Sequence, residues 1–151
     1  MQPAFYVKLR VRYAECDAQQ VVFNARYADY ADLAATEYVR AVFGGYQNLQ
    51  AQGLDNQVVK LEINWQGSAR FDDVLRISVA TSHVGNTSFS FEMQVVNDSN
   101  QKPVANIAIT YVLVDAKTFI KRTIDDQLRA QLQAGAAGQR ADFSGLPSSY
   151  T

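Results

Sequence analysis

Residues 13–27 read Tyr-Ala-Glu-Cys-Asp-Ala-Gln-Gln-Val-Val-Phe-Asn-Ala-Arg-Tyr, and they join two segments of different periodicity. Before them, apolar residues alternate with polar ones from Phe5, which predicts a half-buried strand up to Tyr13. After them, apolar residues recur at helical spacing from Tyr27 to Val42. The segment is therefore predicted to be a loop that leads from a strand directly into the N-terminus of a long helix.

The predicted helix has signals for both its ends. Asn24 can cap a helix that begins near Ala25, because its side-chain oxygen can accept a backbone N–H of the first turn. Gly44-Gly45 is expected to end the helix after about 18 residues, or roughly 27 Å. The apolar stripe mixes Ala with Tyr, a combination that suits close packing against a curved sheet.

Four further strands are predicted between residues 58 and 114, where alternation with a period of two returns. Turn-forming residues interrupt the alternation at 67–73, 85–86 and 97–103. The last strand is apolar on both faces from Ile107 to Val114, which indicates a central position in the sheet.

The predicted order is strand, long helix and then four strands joined by hairpin-like turns. This is an α+β arrangement in which one helix covers one face of an antiparallel sheet. A short helix is predicted from Asp125 to Leu132, followed by a segment rich in Ala, Gly, Ser and Gln. We therefore expect one domain over residues 1–132 and a flexible C-terminal tail over residues 133–151.

The composition excludes several classes of function. There are 14 Lys and Arg and 15 Asp and Glu, a net charge of -1, which argues against a nucleic-acid partner. One Cys and one His exclude a disulfide within the chain, a cysteine zinc site and a two-histidine metal motif. Without a long apolar run or an N-terminal secretory signal, the expectation is a cytoplasmic protein with no membrane span.

Asp17 is the candidate for chemistry within the loop. It precedes a predicted helix N-terminus, where free backbone N–H groups can hold an oxyanion. A carboxylate beside such donors suits a base or a nucleophile in acyl transfer. A loop Asp ahead of a helix is more often a cap or a solvated acid, so the residues alone leave both interpretations open.

Three segments carry a family resemblance, at 15–27, 67–75 and 83–89. The family's corresponding patterns are D-x-D-x-x-G-V-V-aromatic-x-x-x-Y, then (T/P)-A-x-(Y/F)-x-D-x-L, then G-x-x-S-(F/V). This chain has Glu15, Gln20 and Ser68 at the first Asp, the Gly and the Thr or Pro of these patterns. On these segments the chain resembles the hotdog-fold acyl-CoA thioesterases, specifically the 4-hydroxybenzoyl-CoA thioesterase-like branch. The resemblance covers residues from about 5 to about 132 and implies an antiparallel β-sheet wrapped around one long central α-helix.

The resemblance implies roles for five residues. Asp17 would be the catalytic carboxylate, which attacks the thioester carbonyl or activates water. The backbone N–H of Asn24 would polarise that carbonyl, reinforced by the helix dipole. Phe23 and Tyr27 would line the acyl pocket, and Ser68 would position water or substrate from the neighbouring subunit.

The implied reaction converts acyl-CoA and water to a carboxylic acid and coenzyme A, with no metal and no cofactor. The family forms homodimers, often paired into homotetramers, whose active sites lie at the subunit interface. Coenzyme A carries phosphates, so basic residues must meet it. The candidates at strand ends are Arg70, Arg76, Lys117, Lys121 and Arg122.

Gln20 departs from the family pattern, since relatives usually have Gly there to supply a strained φ or a close approach to ligand. The departure motivates one alternative, a non-catalytic acyl-CoA-binding protein of the same fold. A second alternative is an acyl-acyl carrier protein thioesterase, which keeps the fold and changes the carrier.

Four other reactive side chains receive structural interpretations. Glu15 shares the loop with Asp17 and is expected to be a solvated acid, with an auxiliary role at the site as the alternative. Glu37 is expected to be a polar position on the long helix. Cys16 is expected to be a small structural residue, because a reactive thiolate needs a nearby His or positive site. His83 precedes a turn and is expected at the surface or hydrogen-bonded.

Overall fold

Six strands and three helices form the part of the chain that the computed structural model describes, residues 3–145. In chain order they are β1 (Phe5–Arg10), α1 (Arg26–Phe43), α2 (Tyr46–Gln50), β2 (Leu54–Trp65), β3 (Val74–Val84), β4 (Ser88–Asn97), β5 (Pro103–Asp115), α3 (Asp126–Ala134) and β6 (Arg140–Phe143). A 3-10 turn at Tyr13–Glu15 lies between β1 and α1.

The strands make one sheet in the order β2-β5-β4-β3-β1-β6. Neighbouring strands pair antiparallel except β1 and β6, which are parallel. β5 lies between β2 and β4, which confirms the prediction that this apolar strand is central. The fold is the predicted α+β arrangement, an antiparallel sheet wrapped around α1.

The long helix packs closely against the inner face of the sheet. Ala31, Ala34 and Ala35 are almost completely buried, and small side chains there let the helix backbone approach the strands. The ring of Tyr38 lies 4.8 Å from that of Phe91. α1 has 18 residues and ends at Phe43, and Gly44 follows as its C-cap with a φ of 72°, a conformation that favours glycine. No helix within residues 3–145 is long and apolar enough to span a membrane.

The first strand is shorter than its alternation predicted. β1 ends at Arg10, and the Tyr13 side chain is 80% exposed rather than packed on the core face. The reason is local, because the Glu15 N–H bonds the Arg12 carbonyl and tightens the chain into a 3-10 turn. The loop that follows therefore begins earlier than the period-two pattern indicated.

The prediction of hairpin-like turns throughout is wrong for the connection between β2 and β3. These strands are not neighbours, since β2 pairs with β5, and residues 66–73 cross from one region of the sheet to the other. Gly67 makes this crossing possible, because a Cβ there would lie 2.9 Å from the Pro103 carbonyl oxygen. Turn-forming residues serve crossovers as well as hairpins, so local composition does not distinguish them.

The inner face of β2 is largely uncovered, although alternation predicted it to be buried. A bulge at Val59 shifts the register, so that Val58, Leu61 and Trp65 point to the same side as the buried residues of β5. Their side chains are 52%, 39% and 48% exposed, respectively. β2 is the end strand of the sheet, and its apolar face lies open in the single chain.

The prediction of a flexible tail from Gln133 is wrong as far as residue 145. Residues 133–134 complete α3, and β6 pairs in parallel with β1, placing Arg140 opposite Tyr6. Ala136 and Ser144 are buried. Because β6 pairs with β1, the domain extends beyond residue 132. Composition does not reveal this pairing, since it joins residues that are distant in sequence. The remainder of the expected tail, residues 146–151, lies outside the described residues.

Candidate active site

Asp17 lies at the start of a tight turn between β1 and α1. An antiparallel bridge joins Cys16 to Val22, and the Asp17 N–H donates to the Val21 carbonyl at 2.9 Å. The Asp17 carbonyl accepts from the Gln20 N–H at 2.9 Å, and one carboxylate oxygen accepts from the Gln19 N–H at 2.8 Å. The backbone of the turn is therefore fixed on both sides of the carboxylate.

Gln20 adopts the backbone conformation that glycine favours. Its φ is 65°, in the left-handed region, at the position where the family pattern has Gly. A residue with a Cβ is destabilised there by about 1–2 kcal/mol. The turn thus keeps the positive φ expected of the family loop despite the substitution.

The N-terminus of α1 presents two backbone donors without partners. The helix begins at Arg26, and Ala25 occupies the N-cap, so the prediction that Asn24 caps it with its side chain is wrong. The Arg26 N–H bonds the Phe23 carbonyl at 2.9 Å. Within residues 3–145, neither the Asn24 N–H nor the Ala25 N–H donates a hydrogen bond. Such free amides at the positive end of a helix suit a developing negative charge.

Asp17 lines an open cavity of about 420 Å³. Its walls come from the loop before α1 and from the crossover between β2 and β3, and the lining residues are Tyr13, Cys16, Asp17, Gln20, Arg70 and Phe71. The rings of Tyr13 and Phe71 meet edge to face at 5.7 Å. The fold therefore brings two segments that are distant in sequence to one carboxylate.

Arg70 is the cation of this cavity. Its backbone is fixed by a hydrogen bond from its N–H to the Asp73 carboxylate at 2.9 Å. Its guanidinium forms no hydrogen bond or ion pair with any other residue in the described range 3–145. An unpaired guanidinium at the cavity wall is available to an anionic group of a ligand.

Of the residues predicted at the site, only Asp17 lines this cavity; Phe23, Asn24, Tyr27 and Ser68 lie outside its lining. Phe23 is half exposed, while Tyr27 is buried with its ring edge-on to Trp65, 6.1 Å between centroids. Burial raises the pKa of Tyr27, and the nearby charge of Asp73 adds to the effect. Ser68 is exposed and precedes Ala69, whose carbonyl accepts the Val22 N–H at 2.8 Å. Their contact with substrate stays a prediction.

Glu15 is a buried acid of the Asp17 loop, and of its two sequence interpretations the auxiliary role stays a prediction. The expectation of a solvated acid is wrong, since the residue is only 6% exposed. One carboxylate oxygen accepts from the Arg12 N–H at 2.8 Å and from the Tyr30 hydroxyl at 3.0 Å, and the other pairs with the Arg12 guanidinium at 3.2 Å. Burial and the adjacent Glu15 carboxylate raise the pKa of Tyr30. The spacing of three between Arg12 and Glu15 is the one local signal of the bond from the Arg12 N–H to the Glu15 carboxylate.

The remaining reactive side chains are Cys16, which lines the Asp17 cavity together with Arg70, and His83 and Glu37, which lie outside that lining. The Cys16 sulfur lies 3.8 Å from the Arg12 carbonyl oxygen, and His83 is exposed on β3. Glu37 pairs with Arg40 at 3.2 Å along the surface of α1. None of these contacts suggests a nucleophile and base acting together.

The sequence profile of the thioesterase superfamily matches residues 19–104 of the chain. The chain belongs to the thioesterase superfamily. It is accordingly a thioester hydrolase, as the resemblance of its loop predicted.

Curated relatives of the chain support this membership. The acyl-CoA thioesterase YbgC of Haemophilus influenzae is 30% identical over 109 residues, which cover 72% of this chain and 80% of that protein. The acyl-CoA thioester hydrolase YbgC of Escherichia coli O6:H1 is 33% identical over 92 residues, covering 61% and 69%.

A solved structure shows the same fold. The probable thioesterase YbaW from Escherichia coli superposes with a TM-score of 0.77 at 24% identity, covering 87% of this chain and 98% of that one. The hotdog fold implied by the three sequence segments is thus confirmed.

Proposed function

We propose that the protein hydrolyses acyl-CoA thioesters to a carboxylic acid and coenzyme A, with Asp17 as the reacting carboxylate. The observation that carries the proposal is the position of Asp17, which lines an open cavity and lies in the loop that leads to the free amides of Asn24 and Ala25, two residues outside that lining. The names of the YbgC relatives, acyl-CoA thioester hydrolase and acyl-CoA thioesterase, support coenzyme A as the carrier.

In the proposed reaction the thioester carbonyl oxygen accepts the Asn24 N–H. As the carbonyl carbon is attacked, negative charge grows on that oxygen, and the amide and the helix N-terminus stabilise it. The same interaction is weaker with the neutral substrate, so it lowers the barrier rather than merely strengthening binding.

Asp17 acts on the carbonyl carbon by one of two routes. As a nucleophile, its carboxylate oxygen forms an anhydride with the acyl group and expels coenzyme A as a thiolate, and water then cleaves the anhydride. As a general base, it takes a proton from water, whose oxygen attacks the carbonyl while the thiolate leaves. A single turnover in isotopically labelled water tests the nucleophilic route, because water that attacks the Asp17 carbonyl of the anhydride leaves its oxygen in Asp17. Water that attacks the acyl carbonyl labels the product acid in either route, so trapping the anhydride with hydroxylamine is the complementary test.

Recognition of the carrier is assigned to Arg70. Its guanidinium lies at the wall of the Asp17 cavity without a carboxylate partner in the described residues, and coenzyme A supplies phosphates. The other basic candidates, Arg76, Lys117, Lys121 and Arg122, do not line this cavity. Arg122 is also paired with Asp115 at 3.4 Å.

We propose further that the chain works as a homodimer or homotetramer through the open face of β2. Val58, Leu61 and Trp65 expose apolar surface there, and contiguous apolar surface of this kind favours association. Trp65 also touches Tyr27 of α1, so this surface is continuous with the helix that follows the Asp17 loop.

The test is hydrolysis of a panel of acyl-CoA substrates of different acyl length and aromaticity by wild type and Asp17→Asn. Asp29→Asn is a matched control, because Asp29 is an exposed acid in the first turn of α1. The proposal expects turnover by wild type and the control, and a large loss in Asp17→Asn. Full activity of Asp17→Asn would exclude the mechanism, and tight binding without turnover would instead favour an acyl-CoA-binding protein. Faster hydrolysis of acyl-acyl carrier protein than of acyl-CoA would show that the carrier is acyl carrier protein rather than coenzyme A.

A further inference from the structure

Glu15 connects the two halves of the loop that holds Asp17. Its carbonyl accepts the Phe23 N–H at 2.9 Å, while its own N–H bonds the Arg12 carbonyl at 3.0 Å. Asp17 follows Glu15 by two residues, and Asn24 follows Phe23 directly. The backbone of one residue thus links the segment that carries the carboxylate to the segment that carries the free amide.

The side chain of Glu15 adds a link to the helix itself. Its carboxylate oxygen accepts the hydroxyl hydrogen of Tyr30, a residue of the first turns of α1, at 3.0 Å. The second oxygen is held by the Arg12 guanidinium at 3.2 Å. A buried carboxylate is costly unless its oxygens are satisfied, and here both are.

We propose that Glu15, held by Tyr30 and Arg12, is a positioning residue that fixes the Asp17 carboxylate relative to the Asn24 N–H. This inference rests on the proposed reaction at Asp17. Glu15 is not a second base, because its oxygens are occupied and its side chain is absent from the cavity lining, although its neighbours Cys16 and Asp17 are there. Misplacement of a reacting group by about 1 Å can lower a rate by about 10²-fold, so a positioning residue can act without touching substrate.

The chain offers a matched pair of tyrosines for the test. Tyr30→Phe removes the hydroxyl that holds Glu15. Tyr38→Phe removes a hydroxyl from the same helix that bonds the Thr81 hydroxyl at 2.9 Å, outside the loop. The positioning role expects kcat to fall about 10-fold in Tyr30→Phe with KM within about twofold. In Tyr38→Phe both constants stay within about twofold of wild type.

A second variant addresses the carboxylate directly. Glu15→Gln keeps the size of the side chain but puts an amide in place of the charged group that faces Arg12 and Tyr30. If the two residues act as a unit, Glu15→Gln combined with Tyr30→Phe lowers kcat little more than the worse single variant. If the fold losses in kcat of the two single variants instead multiply in the double variant, the two residues do not share a positioning role.

A readout independent of turnover comes from Cys16, the single cysteine of the chain, which lines the Asp17 cavity. If Glu15 holds the loop, iodoacetamide alkylates Cys16 several-fold faster in Tyr30→Phe than in wild type, and at the wild-type rate in Tyr38→Phe. Equal alkylation rates in all three proteins, with unchanged kcat, would overturn the positioning role.

The outcomes separate this inference from the proposed function. Loss of turnover in Asp17→Asn, with wild-type kcat and alkylation in Tyr30→Phe, overturns the positioning role and leaves the proposed function intact. Absence of turnover by wild type over the acyl-CoA panel overturns the proposed function. The alkylation rates then decide whether Glu15 holds the loop.

Discussion

The carboxylate of Asp17 accepts a hydrogen bond of 2.8 Å from the N–H of Gln19. One oxygen of the candidate catalytic group therefore also holds its own turn together, and the second is the one left for chemistry. This double use predicts that two substitutions of Asp17 will differ in their effects on stability and agree in their effects on rate.

Asp17→Asn keeps an oxygen that accepts the Gln19 N–H, whereas Asp17→Ala removes it. Both variants are expected to lose at least about 100-fold in kcat, because neither carries a carboxylate. Asp17→Ala should also lose about 1 kcal/mol in free energy of unfolding, and Asp17→Asn much less. Urea unfolding and initial rates measure the two effects, and equal destabilisation by both variants would contradict the structural role of the oxygen.

Gln20→Gly should stabilise the protein, because φ at residue 20 is 65°. Removing the Cβ relieves strain of about 1–2 kcal/mol, and the added flexibility of glycine in the unfolded chain offsets about 0.5–1 kcal/mol of it. The expected net gain is about 0.5–1 kcal/mol in the free energy of unfolding. Gln20→Ala is the control, since alanine keeps the Cβ and should give no gain from relief of strain.

Arg70→Gln should raise KM for acyl-CoA about 10-fold and change kcat less, if the guanidinium binds a phosphate of the carrier. The sharpest control is on the substrate side. The same acyl group on N-acetylcysteamine lacks every phosphate, so wild type and Arg70→Gln should hydrolyse it with the same KM. An equal rise in KM for both substrates would show that Arg70 does not bind the phosphates of coenzyme A.

Leu61→Glu should separate the subunits, because Leu61 lies on the open apolar face of β2 and the new charge would be buried on association. Glu62→Lys is the control, since successive residues of a strand face opposite sides of the sheet. Light scattering after size-exclusion chromatography should give two or four times the chain mass for wild type and for Glu62→Lys. It should give a single chain mass for Leu61→Glu, and an unchanged assembly in that variant would exclude this face.

Asp142 should make the stability of the β6 region depend on acidity. Hydrogen bonds from the Ser144 side chain and backbone lower the pKa of Asp142 below its ordinary value of 3.8. A folded-state pKa below that of the unfolded chain means that the contribution is present above the unfolded pKa and is lost as pH falls through the folded pKa. The difference in unfolding free energy between wild type and Asp142→Asn should therefore be largest near neutral pH and shrink below about pH 4. A difference in unfolding free energy that does not depend on pH would refute this assignment. In a Ser144→Ala background, the pH dependence of that difference should be smaller.

The elements that sequence predicted well are those set by local periodicity. α1 ends at Phe43, just before Gly44, as expected, and Phe91 and Ile77 face the core as their alternation indicated. Asp17 can be nominated from sequence because its loop pattern lies within one continuous segment, and its catalytic role stays a prediction.

The features that sequence did not predict depend on distant partners. β2 lies beside β5 rather than β3, and β6 joins β1, because strand order is decided by long-range packing. Glu15 looked like a surface acid because its buried partner Tyr30 lies 15 residues away on α1. The cavity likewise unites Asp17 with Arg70 only after the crossover between β2 and β3 has folded.

β6 has a consequence for how copies of the chain can add to one another. It has four residues, includes Arg140 and Asp142, and occupies the side of the sheet opposite β2. A short, charged edge is a poor template for another strand, whereas the 12-residue edge of β2 is a long one. Strand addition is thus directed to one side of the molecule, which favours a closed, symmetric assembly over an endless fibre.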